Sequence, residues 1–356
     1  MLTAIGSMAC VVALGWVIQR TGLLSGRSLP RGVARGGSGD ADGGAGARRT
    51  LATLSFTICA PALMFSTLAS TDLAHVLSRG AAVTWATTAG LGLVTAAVAR
   101  WLLRLPSGPA AVTTLAAVYV NGGNIGIPLA VYLFDDALAV VPTLLFQLLV
   151  LAPLALSVLD RSVAADGRAT TTSAWRSMGH VFLAAFRNPI TLGTVAGLLV
   201  AVLGELTGVR LPDVVLMPFD LIGAAAPPLG LLAFGMTLAV PLPPAGGVDG
   251  DEGVDGGQGA RTGKGKGRTL VRSVIAVSVL VRNVLHPLAA WGLGLALGLD
   301  GPALAIVVTM AALPTAVNVT TYATRYGVFD GVAARATVWT TALCVPVLVA
   351  VGALLA

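Results

Sequence analysis

Asn121 and Asn124 stand in the motif NGGNIGIP (121–128), inside the apolar run 110–134. Each amide offers donors and acceptors, and Gly122, Gly123 and Gly126 make unwinding easy. Pro128 withholds a backbone donor and would crowd the carbonyl of Asn124, four residues earlier. A second apolar run, 303–324, carries LPTAVN at 313–318, with Pro314, Thr315 and Asn318. Inside a bilayer, non-helical backbone survives only where protein or a water-lined cavity surrounds it. Two broken helices in matching positions of two halves therefore point to a transporter's binding site. Where half-helices meet, their N-termini present unpaired N–H groups and partial positive charge. The chemistry expected there is the holding of an anion, above all a carboxylate.

Other polar residues divide between that chemistry and packing. Asn121 taken alone could equally be interhelical glue; the pair of breaks favours the site. Gln147, a single polar side chain in the run 137–159, is open between glue and cavity lining. Gly193 and Gly197, spaced as GxxxG, read as a close-packing face. Cys10, Cys59 and Cys344 lie in apolar runs without metal or redox spacing and read as buried packing residues. Arg282 is expected to snorkel to the cytoplasmic face, and His286 could titrate near neutral pH. No Asp, Glu or Lys falls at the centre of any apolar run, which argues against a cation substrate. Asp72, Asp135, Asp136, Glu205, Asp213 and Asp220 lie near run ends, where solvation is the default.

Enzyme readings find no support. HExxH and GxSxG are absent, and His75, His180 and His286 are too scattered for a metal centre. GKGKGRT at 263–269 fails as a phosphate loop, because Gln258 and Gly265 stand where Gly and Ser or Thr are needed. No cofactor and no metal are expected.

The elements that must position these residues are membrane helices. With 56% apolar and 11% charged residues among 356, the chain lies far outside the soluble range. Ten runs are long enough to cross about 30 Å of hydrocarbon: 2–19, 51–69, 81–103, 110–134, 137–159, 190–206, 214–240, 271–299, 303–324 and 332–356. They are numbered here as segments 1 to 10. Of the 22 Lys and Arg residues, all but Arg79, Arg210 and Arg282 follow odd-numbered segments. By the positive-inside rule both termini are outside, and segment 1 is a retained helix without a basic n-region. The net charge of +6 then reflects topology and anionic lipid, with no nucleic-acid partner required. The stretches 31–49 and 241–268, rich in Gly with charges, read as flexible cytoplasmic loops.

The fold class is all-α membrane protein. The segments divide into a first five-helix repeat at 1–159, a cytoplasmic linker at 160–187 and a second repeat at 188–356, which contains the 241–268 loop. Five is odd, so the repeats are inverted, and segments 4 and 9 are the proline-broken crossing helices.

An ordered set of motifs carries a family resemblance over essentially the whole chain. They are LSFTICAPALMF (54–65), NGGNIGIPL (121–129), RNPITLGTVAGLL (187–199), AAPPLGLLAFGMTLA (225–239) and LPTAVNVTTYATRYG (313–327). The chain resembles the auxin efflux carrier family, as a bacterial relative of the plant auxin exporters. The resemblance implies a scaffold of segments 1, 2, 6 and 7 and a moving transport domain of segments 3–5 and 8–10. It places Asn121 and Pro128, with Pro314 and Asn318, on the family's substrate positions, and Gln147 on a polar position of segment 5. It also implies a homodimer. The plant proteins' Asp and Lys early in segment 3 have no counterpart in HVLSRGAAVTW (75–85), which points away from auxin itself and toward a smaller acid. Asn124 replaces a bulky apolar residue.

The expected function is secondary transport of a small organic anion, a mono- or dicarboxylate or auxin-like acid, by elevator-type alternating access. The expected substrate residues are Asn121, Gly123, Asn124, Gly126, Pro128, Gln147, Pro314, Thr315 and Asn318. A proton or sodium remains open as coupling ion, since unwound carbonyls can hold Na⁺. The expected location is the plasma membrane, in bacteria the inner one. The alternative is a membrane sensor that uses the same site without turnover.

Overall fold

The computed structural model describes residues 2–23, 43–71, 78–165, 189–239 and 264–355. Linker residues 166–187, most of the loops expected at 31–49 and 241–268, and Asp72, His75 and His180 lie outside the described residues. Within them the chain is helical, with no strand and one isolated antiparallel β-bridge.

Among the described residues, seven helices are long and apolar enough to cross a membrane: Gly46–Ala69, Arg79–Leu102, Ala137–Ala164, Pro189–Thr207, Asp213–Thr237, Thr269–Ala296 and Asp330–Leu354. Segment 1 forms the helix Leu2–Thr21. Segments 4 and 9 are each split, into Ser107–Val118 and Gly122–Phe134, and into Gly301–Ala311 and Val317–Tyr326. Large apolar side chains such as Leu93, Trp101, Leu206 and Leu221 stay exposed, as a lipid solvent allows. Single π-helical turns interrupt several helices, among them Gly122–Gly126, Gln147–Leu151 and Val281–Leu285. Such turns concentrate at functional positions.

Three expectations change. Helices begin at Gly43 and Lys264, inside stretches expected to be loops. Ala47, Arg48 and Arg49 are good helix formers and extend the first; nothing in the local sequence explains the second, since GKG is a poor helix former. Cys10 is exposed on its helix, while Cys59 and Cys344 are buried.

By packing, the chain forms two compact units, each drawing on both sequence halves. The grouping follows the one the resemblance implies, except that Gly123–Leu138 packs with the first unit, Met1–His75 and Pro189–Pro243. There, glycines allow backbone to approach backbone. A Cβ on Gly235 would strike the Val12 carbonyl, and one on Gly15 the Leu232 carbonyl. Gly193 and Gly197 do face a helix closely: a Cβ on Gly197 would lie 2.7 Å from the Phe65 carbonyl oxygen, and one on Gly193 would strike that of Pro61.

The second unit comprises Val76–Gly122, Ala139–Asn188 and Pro244–Ala356. One apolar cluster gathers Leu115, Tyr119, Leu159, Val319 and Ala333. Another gathers Val83, Leu304, Val308, Ala312 and Val351. The break at 119–121 starts at Tyr119 of the first cluster, and that at 312–316 runs from Ala312 of the second to Ala316 of the first.

Candidate functional site

The two breaks of the second unit satisfy each other. Ser107–Val118 ends as Tyr119 turns extended, and Val120 pairs with Thr315 as an antiparallel bridge. The Asn121 N–H donates to the Pro314 carbonyl at 2.8 Å, and the Ala316 N–H to the Tyr119 carbonyl at 3.0 Å. The Thr315 hydroxyl donates to the Ala116 carbonyl at 2.6 Å, a group the ended helix leaves without an intrahelical partner. In hydrocarbon this accounting is obligatory, and the crossing closes it locally.

Side chains from segments 8 and 10 complete it. The Thr315 N–H donates to the Thr340 hydroxyl at 3.2 Å, and the Asn283 amide donates to the Thr340 carbonyl at 3.1 Å. At the end of Gly301–Ala311, the Cys344 thiol lies 3.5 Å from the Ala312 carbonyl, and Arg282 Nη2 donates to the Ala311 carbonyl. Arg282 therefore does not snorkel. It is fully buried, because the carbonyls freed by the broken helix, with their partial negative charge, lie within its reach.

Beside the crossing lies a small chamber, lined by Val118 and Val120 ahead of one break and by Met310 and Ala311 ahead of the other. Its polar wall is Thr84, Thr87, Thr88, Thr143, Gln147 and His286. The space open to the centre of a water-sized sphere is about 10 Å³, about what one water requires. His286 Nε2 is 3.3 Å from the Thr88 hydroxyl, the donor depending on the tautomer. The Trp85 indole N–H donates to the Pro142 carbonyl at 2.8 Å, fixing segment 3 against segment 5. His286 Nδ1, the Thr143 hydroxyl and both amide atoms of Gln147 are buried and without a hydrogen-bond partner among the described residues.

The expected site residues fall on both units. Asn121, Pro314 and Thr315 form the crossing, and Gln147 lines the chamber. Asn318, half-buried one turn on, interacts with the Tyr119 hydroxyl. Gly123, Asn124, Gly126 and Pro128 belong to the first unit. There, a Cβ on Gly123 would press on the Phe56 ring at 2.9 Å, and one on Gly230 would approach the Pro128 ring at 3.3 Å and the Asn124 carbonyl at 3.4 Å. Pro128 is not where the chain unwinds. It follows the π-helical turn Gly122–Gly126 within the helix Gly122–Phe134, a wider turn that accommodates its missing N–H, and the break lies upstream at 119–121.

Arg282, Asn283, Thr340 and Cys344 were not expected at the site. The run RNVLH (282–286) was the available signal: three polar residues of segment 8 within about one helical turn.

An apolar multi-helix chain with paired, mutually capped breaks defines a multi-pass membrane transport architecture. The chain matches the model of the membrane transport protein family, the auxin efflux carrier family, over residues 45–351, and it belongs to that family. Members of this family are transporters rather than enzymes. A search of curated proteins finds no match.

Proposed function

We propose that the protein is a secondary active transporter of a small organic anion, such as a mono- or dicarboxylate or an auxin-like acid, working by elevator-type alternating access. Its ten helices form two inverted repeats, 1–159 and 188–356, in the plasma membrane with both termini outside. The observation that supports this most is the crossing of two broken segments at Val120 and Thr315, with Asn121 and Asn318 beside it. Unwound backbone at membrane depth has few uses apart from substrate or ion binding. Asn121, Gln147, Pro314, Thr315 and Asn318 are the substrate residues of the second unit in this reading. For Gly123, Asn124, Gly126 and Pro128 it rests on their motif alone.

The test is Asn121→Ala in proteoliposomes. Its main-chain bond to Pro314 survives the change, so folded protein is retained while flux of labelled benzoate, succinate or indole acetate falls at least tenfold. Unchanged flux of an acid that the wild type carries would remove Asn121 from the site.

A further inference from the structure

We propose that the chamber beside the crossing seats the carboxylate head of the transported acid, with Arg282 as its counter-charge and Gln147 and Thr143 as neutral donors. This rests on the transport reading above. Arg282 is 0% exposed. Nη2 bonds the Ala311 carbonyl, whereas Nε and Nη1 have no partner among the described residues. No described Asp or Glu pairs with it. A buried charge is kept when an opposite charge completes it, and a helix C-terminus supplies only about half of one.

The cation stands behind the chamber wall and is not itself a lining residue. Arg282 holds Ala311, which lines the chamber, and His286, four residues along the same helix face, lines it too. Gln147 and Thr143, 2% and 6% exposed, line the same space and carry polar atoms without a partner among the described residues. Hydroxyl and amide oxygens would also suit Na⁺. Charge decides against it, because beside Arg282 nothing negative among the described residues balances a second cation, whereas an oxyanion is attracted by the guanidinium and accepts from the amide and hydroxyl. Size fits the tip of a head group and not a whole acid. Room for about one water admits one carboxylate oxygen, while the rest of the ligand stays at the crossing, along Val120, which belongs to both.

The experiment is thermal-shift titration of the detergent-purified full chain with sodium benzoate and succinate, against benzamide and succinamide, and against sodium chloride and phosphate. We expect the acids alone to raise the wild-type midpoint. Arg282→Met, which replaces an incompletely paired buried charge with an apolar side chain of similar length, should fold and weaken the half-maximal response at least tenfold. Gln147→Leu should raise the ligand-free midpoint, since it removes two unpartnered buried atoms, and yet weaken the acid response several-fold; structural damage would move both readouts down together. An unchanged acid response in folded Arg282→Met, or in Gln147→Leu if the Met variant does not fold, overturns the proposal. Equal shifts by chloride or phosphate that Arg282→Met abolishes also overturn it, by making the chamber an inorganic-anion site. A response removed by Asn121→Ala and kept by Arg282→Met sinks this proposal and leaves the transport reading standing. A wild type that answers to none of the acids sinks both.

Discussion

The main-chain N–H of Asn121 donates to the carbonyl of Pro314 across 2.8 Å, so each broken segment supplies a partner that the other's unwound backbone needs. The bond joins residues far apart in sequence, and neither break could persist in hydrocarbon without the other. It makes the crossing a structural joint as well as a candidate binding surface.

Thr315→Val conserves volume and deletes the hydroxyl that satisfies the Ala116 carbonyl. Leaving that buried acceptor without its partner should cost about 1–3 kcal/mol. The readout is a lower thermal midpoint in detergent, with helix content unchanged by far-ultraviolet circular dichroism. A midpoint equal to wild type would mean that the carbonyl is satisfied elsewhere.

Pro128→Ala should be mild, because the proline lies past the unwound residues 119–121, after the π-helical turn Gly122–Gly126, and replacing it removes no hydrogen bond. The expected stability change is under about 1 kcal/mol in either direction, read as the thermal midpoint in detergent. A collapse of folded yield would show that the ring itself holds the break.

Gly235→Ala sets a methyl against the Val12 carbonyl, where backbone and not a flexible side chain must yield. Overpacking of this kind should cost about 1–3 kcal/mol, seen as a lower midpoint. The same change at Gly292, where a Cβ meets nothing within 4 Å, is the control and should leave the midpoint where it was.

Much of this was legible in composition and spacing, for reasons that differ by residue. Apolar runs mark helices because hydrocarbon leaves the backbone few alternatives, and Gly193 and Gly197 announce a packing face by lacking side chains at helical spacing. NGGNIGIP and LPTAVN announce broken helices. Where the break falls was not legible: Pro128 draws attention, yet the unwound residues are 119–121, selected by partners that lie at 314–316. Arg282 failed for the same reason. Hydropathy expects a cation to seek the interface, and only the freed carbonyl of Ala311 explains why this one turns inward. The onset of helix at Lys264 has no local signal at all.

The most direct measurement is counterflow in wild-type proteoliposomes loaded with an unlabelled acid and diluted into the labelled one, with benzoate, succinate and indole acetate tried in turn. The account predicts saturable uptake of at least one acid that internal substrate accelerates and the corresponding amide does not inhibit. Saturable binding to the purified protein with no counterflow would contradict it, and would make the crossing the site of a sensor.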